Sequence, residues 1–265
     1  MKKSSILAFG FALLAGTAFA QNAQEVTYVE DPSQGYLFNK FNSNWFIQAE
    51  GGVAVGFTKH DAKRNFGDRF APAASLYVGK WFSPILGARI GADFLSLKGL
   101  TEQDNVQLTG ARTWEHMVDG VYYKSKINYV GPAFDVMLNL TNWWCGYKPN
   151  RVYNAYVYAG GALYWGLTKQ VDGNDYKWRS AHDRVISIRG GLVQNFNISK
   201  RFALGLDLRA VALDNHIDGD GSTALVGEAL LTATVKLGKT DWNAPIVPVC
   251  PPAENCDEYR ARLQA

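Results

Sequence analysis

After its first twenty positions the chain contains no run of eighteen apolar residues, so it offers no candidate for a membrane-crossing helix. It also lacks charge of one sign. A net charge of +3 over 265 residues is too small to imply a nucleic-acid partner. Cysteine is scarce, with three residues, and position 21 is Gln rather than Cys, which argues against a lipid-anchored protein. No Ser stands with a His and an Asp at a spacing that suggests nucleophilic catalysis, so no catalytic residue and no cofactor or metal site is expected.

What is present begins with an export signal. Lys2 and Lys3 precede an apolar core of ten residues, Ile6 to Ala15, and Ala18-Phe19-Ala20 has the small-x-small form of a cleavage site. Cleavage is expected between Ala20 and Gln21, since the apolar core is too short to span a bilayer. The whole chain is 13% aromatic and rich in Gly (26), and beyond the signal its hydrophobic content, 47% over the full length, comes without a long apolar block. That is the composition of strands with one lipid-facing side, because lumen positions dilute the apolar ones.

Residues 44–238 hold eight stretches in which apolar and small-or-polar residues alternate with period two. Strand one, Asn44 to Thr58, sets Trp45, Ile47, Ala49, Val53, Val55 and Phe57 against Gln48, Glu50, Gly52, Ala54 and Gly56. Strand two, Phe70 to Phe82, sets Ala74, Leu76 and Val78 against Ser75, Tyr77 and Gly79. Strand three, Leu86 to Lys98, opposes Ala88, Ile90, Ala92 and Phe94 to Arg89, Gly91 and Asp93. In strand four, Tyr122 to Leu140, Val130, Phe134, Val136, Leu138 and Leu140 oppose Tyr129, Gly131, Asp135 and Asn139. Strand five, Val152 to Lys169, carries Tyr156, Tyr158, Gly160 and Tyr164 inward; strand six, Arg184 to Asn197, carries Ser187, Arg189, Gly191 and Asn195. Strand seven, Phe202 to Asp214, has the clearest lipid face, from Phe202 through Leu204, Leu206 and Leu208 to Ala212, against Gly205, Asp207 and Arg209. Strand eight, Ala224 to Gly238, sets Leu225, Ala229, Leu231, Ala233, Val235 and Leu237 against Glu228, Thr232 and Thr234.

Connections alternate in length, with short turns after the even strands and long polar loops after the odd ones. Short turns face the periplasm in bacterial barrels and long loops face outward. Aromatic residues gather at both rims: Trp45, Trp81, Phe82, Trp143, Trp144, Tyr153, Phe196 and Phe202 at the periplasmic end, and Phe57, Phe94, Tyr122, Tyr123 and Trp165 at the outer end. The fold expected is therefore all-β, an eight-stranded antiparallel transmembrane β-barrel in the Gram-negative outer membrane. A soluble barrel of lipocalin type would place the apolar face inside. Pro132 in strand four resists a regular ladder, and with Gly131 beside it a bulge or local bend is expected there.

A barrel of this strand number encloses a space that side chains fill. The inward set includes Glu50, Arg89, Asp93, Asp135, Arg189, Asp207, Arg209 and Glu228, three cations and five anions. Charges held away from water must be paired, so a salt-bridge network plugging the lumen is the expectation, preferred over a gated ion path because no ring of one sign appears.

Other candidate sites carry less. Cys250 and Cys256 bracket a Pro-rich loop, and in an oxidising compartment a disulfide between them is expected; Cys145 is left over, free or joined to another subunit. His60, His116, His182 and His216 fall one to each long loop, and four loops need not converge. Asp218-Gly219-Asp220-Gly221 and Asp172-Gly173-Asn174-Asp175 lack the ligand order of a calcium loop and read as turns. Lys59, Lys63, Arg64 and Arg69 in the first loop either meet lipopolysaccharide phosphates or form a solvated tip.

The run Gly131-Pro132-Ala133-Phe134-Asp135-Val136-Met137-Leu138-Asn139-Leu140, the exit Lys236 to Trp242 and the linker Pro248-Val249-Cys250-Pro251-Pro252 with Cys256 resemble the OmpA-like outer-membrane proteins, and within them the Bacteroidales branch. The resemblance implies a signal peptide (1–20), a periplasmic N-terminal segment (21–43), a barrel (44–238) and a Pro- and Cys-containing periplasmic tail (239–265). It also implies a structural role in the envelope, with loops free for surface contacts and outer-membrane lipid, including lipopolysaccharide, as surroundings. A small channel is the alternative reading, and an outer-membrane acyltransferase or protease a further one. Family members usually continue into a domain that grips peptidoglycan. This sequence stops at Ala265, so none of those residues carries over, and the tail is expected either to be cut from a longer protein or only to reach toward the wall or a periplasmic partner. Self-association remains open.

Overall fold

The computed structural model describes residues 28–57, 66–101, 112–113, 123–172, 175–179, 184–213 and 223–248. Each alternating stretch becomes a strand because only a strand sends successive side chains to opposite faces. In chain order these are β1 (Trp45–Phe57), β2 (Ala71–Trp81), β3 (Leu86–Thr101), β4 (Tyr123–Asn139), β5 (Tyr153–Gly166), β6 (Arg184–Asn197), β7 (Phe202–Leu213) and β8 (Ala224–Leu237). Every strand pairs antiparallel with its neighbours in sequence, and β8 returns to β1 in unbroken register from Leu225 opposite Phe57 to Leu237 opposite Trp45. The sheet is thus closed and has no free edge, which is what allows strands to cross a bilayer with every backbone polar group paired.

The outward face is apolar and uncovered. Ile188 is 74% exposed and Leu231 72%, with Ile90, Ile186, Phe134 and Leu76 more than half exposed. A continuous apolar surface of this kind is stable only against hydrocarbon. At the periplasmic rim Trp45, Tyr153, Phe196 and the stacked pair Trp143 and Trp144, with rings 6.1 Å apart, point to the interface. Trp81 departs from the expected girdle. Its parity turns it inward, edge-on to Tyr156 at 5.6 Å and beside Phe46 at 6.5 Å. Val55 also departs from the lipid-facing set and is buried.

Three further local expectations are corrected. Pro132 causes no bulge. The register of β4 against β5 is the same on both sides of it, Val130 opposite Trp165 and Ala133 opposite Ala162, and the ladder merely lapses in between. Against β3 the pairing runs straight through, with Pro132 opposite Ala92, so the missing donor falls on the β5 side. Leu140 does not extend β4. It begins a short helix, α1 (Leu140–Cys145), whose N-cap Asn139 accepts from the Asn142 amide at 2.9 Å. Arg69 does not belong to a solvated tip: it is buried, donates to the Gly56 carbonyl at 2.6 Å and lies over Phe57 and Phe66.

The chain divides into two units, and Pro32–Pro245 holds the barrel. In the other, Tyr28–Glu30 pairs antiparallel with Ile246–Pro248, Val29 opposite Val247. Beyond β5, Thr168–Asp172 pairs antiparallel with Asp175–Arg179, Asp172 opposite Asp175; Gly173 and Asn174 of the expected turn lie outside the described residues. The cleavage point at Ala20-Gln21, the pair Cys250 and Cys256, the four histidines, Lys59, Lys63, Arg64 and Asp218 to Gly221 lie outside the described residues. Cys145 is exposed and free.

Leu231 lies midway along β8 and Leu237 at its periplasmic end. Leu231→Arg is expected to destabilise the folded barrel in phospholipid vesicles by about 2–4 kcal/mol, and Leu237→Arg by about 0–1 kcal/mol, measured by denaturant unfolding. Equal small costs at both positions would contradict the lipid-facing assignment of this strand.

Candidate functional site

The eight inward charges come from six of the strands, and the closed register brings them to one level of the lumen. Glu50 comes from β1, Arg89 and Asp93 from β3, Asp135 from β4, Arg189 from β6, Asp207 and Arg209 from β7 and Glu228 from β8, and all are buried. They form a single connected network. Arg89 donates through Nε to Asp135 Oδ2 at 2.7 Å and through Nη1 to Glu50 Oε1 at 2.7 Å. Its Nη2 lies 3.5 Å from Asp207 Oδ2. Arg189 grips Asp135 in a two-point fork, Nε to Oδ1 at 2.7 Å and Nη2 to Oδ2 at 2.8 Å, and reaches Asp93 Oδ2 at 3.0 Å. Arg209 donates to Glu50, to Asp207 Oδ2 at 2.8 Å and to Glu228 Oε2 at 3.2 Å.

Five carboxyl groups against three guanidinium groups leave oxygens in surplus, and hydroxyls supply the remaining donors. Tyr158 donates to Asp207 Oδ2 at 2.9 Å while accepting from Arg209 Nε at 2.6 Å. Tyr164 and Ser75 both donate to Asp93. Tyr77 accepts from Arg189 Nη1 at 2.9 Å. The Arg89 guanidinium is sandwiched between two rings, 4.3 Å from the centre of Tyr77 and 4.2 Å from that of Tyr158. A desolvated cation over an aromatic face gains about 2 kcal/mol, which helps offset the loss of water.

The network lies between two apolar layers that the alternation did not expose. Toward the outside, Leu95, Leu97, Tyr129, Tyr164, Leu213 and Leu230 belong to one buried cluster. Toward the periplasm, Phe46, Met137, Tyr156, Tyr158 and Val193 form a second, with Trp81 against it. Two glycines make the lower layer possible. A Cβ on Gly79 would lie 2.2 Å from the Phe46 ring, and one on Gly191 2.6 Å from the Tyr158 hydroxyl. Tyr129, Tyr156, Tyr158 and Tyr164 were expected inward; Phe46, Leu95, Leu97, Met137, Val193, Leu213 and Leu230 were missed because their side chains are the same in kind as the lipid-facing ones. Strand parity alone could have found them. Among the described residues no group of His, Cys, Asp and Glu is arranged to hold a metal ion.

A closed antiparallel sheet of eight strands, apolar outside and charged within, defines an outer-membrane β-barrel of the Gram-negative envelope. Among curated proteins the chain is homologous to Outer membrane protein 40 of Porphyromonas gingivalis (strain ATCC BAA-308 / W83), at 27% identity over 256 residues, which is 94% of this chain and 61% of that protein. It is also homologous to Outer membrane protein 41 of the same organism, at 24% identity over 203 residues, 75% of this chain and 46% of that one. The chain therefore spans less than two thirds of the length of either relative. No family profile matches the sequence. Among solved structures, Neisserial surface protein A aligns with 74% of this chain and 98% of its own at 10% identity, with a TM-score of 0.46.

Arg209 touches four carboxylates, those of Glu50, Asp93, Asp207 and Glu228, and a tyrosine hydroxyl. Arg209→Ala is expected to cost about 3–5 kcal/mol in equilibrium unfolding, because it strands buried carboxylates without their cation. A loss below about 1 kcal/mol would mean that water reaches these groups and screens them.

Proposed function

We propose that the protein is a structural component of the outer membrane whose lumen is shut, so that it stabilises the envelope without conducting solutes. The observation that carries this reading is the single ion-pair network closed above and below by apolar layers. Each lumen guanidinium is bound by at least two carboxylates, so none of the network's cations is left unpaired to line a water path. The tyrosines that bridge the pairs also occupy the cross-section a water column would need. On this reading the protein has no catalytic role. Segments 21–43 and 239–265 lie in the periplasm behind a cleaved signal, with the tail directed to the wall or a periplasmic partner. The loops face lipopolysaccharide and the cell's surroundings.

Reconstituted into planar bilayers at neutral pH, the unmodified protein is expected to show little or no steady conductance. Large, long-lived openings would overturn the closed-lumen reading and assign it to the channels.

A further inference from the structure

Beneath the lid made by Phe46, Trp81 and Tyr156, at the end of the barrel that carries the short turns, lies a cavity of about 250 Å3. Strand ends and segments outside the ladder share its walls, and the latter are firmly tied. Asn44 adopts the left-handed conformation (φ 62°) and donates its backbone amide to the Lys239 carbonyl at 2.8 Å and its side-chain amide to that of Thr240 at 3.1 Å. Asn39 joins the Asn44 side chain at 2.7 Å to the Asp241 carbonyl at 2.9 Å. On the opposite wall, Arg151 staples the α1 turn by donating to the carbonyls of Thr141 at 2.8 Å and Gly146 at 2.7 Å. The Tyr147 hydroxyl accepts from the Trp242 amide at 3.3 Å and so links the two walls. The cavity is a feature of the fold rather than a gap between loose ends.

Its charge is one-sided. Lys148, Arg151, Lys200 and Lys236 line it, and the only acidic lining residue is Asp241. None of the four cations is within salt-bridge distance of a carboxylate among the described residues. Lys236, only partly exposed, donates to the neutral Asn197 Oδ1 at 2.6 Å, and Arg151 also donates only to neutral oxygens. A partly desolvated cation with no described carboxylate in direct contact suits an anion. The other lining groups are amides and aromatic faces. The side chains of Asn150 and Asn154 make no hydrogen bond with a described residue, and each offers both a donor and an acceptor. Trp81 and Tyr156, edge to face at 5.6 Å, bound it with aromatic surface.

We propose that this vestibule binds an anionic saccharide, with the sugar ring against one of the two aromatic rings, Trp81 or Tyr156, its hydroxyl or acetamido groups on Asn150 and Asn154, and its carboxylate or phosphate toward Lys236 and Arg151. An aromatic face, bifunctional amides and cations out of contact with any described carboxylate together match that chemistry. The volume, just below the usual range of about 300–1,000 Å3 for small-ligand pockets, suits one sugar residue rather than a peptide strand.

The full chain, refolded in detergent, is titrated with N-acetylmuramic acid, N-acetylglucosamine 6-phosphate, neutral N-acetylglucosamine and inorganic phosphate, followed by tryptophan fluorescence and calorimetry. The expected result is saturable binding of at least one charged sugar, tenfold or more tighter than both the neutral sugar and inorganic phosphate. Which sugar binds distinguishes a carboxylate source from a phosphate source. Lys148→Gln combined with Lys200→Gln, both at exposed positions where folding is preserved, should weaken binding at least fivefold, and Lys236→Gln at least tenfold. Absence of saturable binding by either charged sugar would overturn the proposal. So would equal binding of the neutral sugar or of phosphate alone, or unchanged affinity in the exposed double variant.

Discussion

Three guanidinium groups buried inside a membrane barrel set the terms for the rest of this structure. A charge taken out of water costs several kcal/mol unless it is paired and fully hydrogen-bonded. Arg89, Arg189 and Arg209 are paired only by gathering carboxylates from strands far apart in sequence, and the Arg89 Nη2, which makes no hydrogen bond, still lies 3.5 Å from Asp207 Oδ2. Glu50 serves both Arg89 and Arg209, and Asp135 serves both Arg89 and Arg189. Such sharing fixes the register of the strands against one another. A slip of one residue would turn each charge into the lipid. The network is thus a specification of the fold as much as a source of stability.

The apolar layers follow from the same constraint. Ion pairs are strong only where water is kept out, because screening reduces them to almost nothing at an open surface. Phe46, Trp81 and Tyr156 below, and Leu95, Tyr129 and Tyr164 above, exclude it. Gly79 and Gly191 give up their side chains so that rings from other strands can lie against the wall. Outside, the same strands present Ile, Leu, Val and Phe to hydrocarbon, so one pattern of alternation serves two solvents.

The strands were legible because a barrel wall repeats the simplest signal a sequence can carry. The bounds of β6 match the alternating stretch from Arg184 to Asn197, and the other strands differ from theirs only at the ends. The inward charges were legible for the same reason, since Arg189 or Asp207 on the face opposite Ile188 or Leu206 has nowhere else to go. The apolar lids were not, because Phe46 and Val193 interrupt the polar face with residues typical of the other side. Trp81 read as an interface residue for what it is rather than for its parity. Pro132 suggested a bulge from its missing donor, whereas the chain keeps register and leaves the gap in one ladder. The vestibule is built from turns and chain ends, joined by bonds such as Asn44 to Lys239 that no periodicity encodes. The short pairing of Tyr28–Glu30 with Ile246–Pro248 was hidden for the same reason.

The central claim is that the lumen charges are paired and kept from water, and the arginine Nε–H groups report this directly. In nuclear magnetic resonance spectra of the folded protein transferred to D2O, the Nε–H signals of Arg89, Arg189 and Arg209 should persist for minutes to hours, since exchange requires the network to open. Signals from exposed arginines such as Arg201 should vanish at once. Loss of all three lumen signals within the dead time of the experiment would show a hydrated interior and contradict the account.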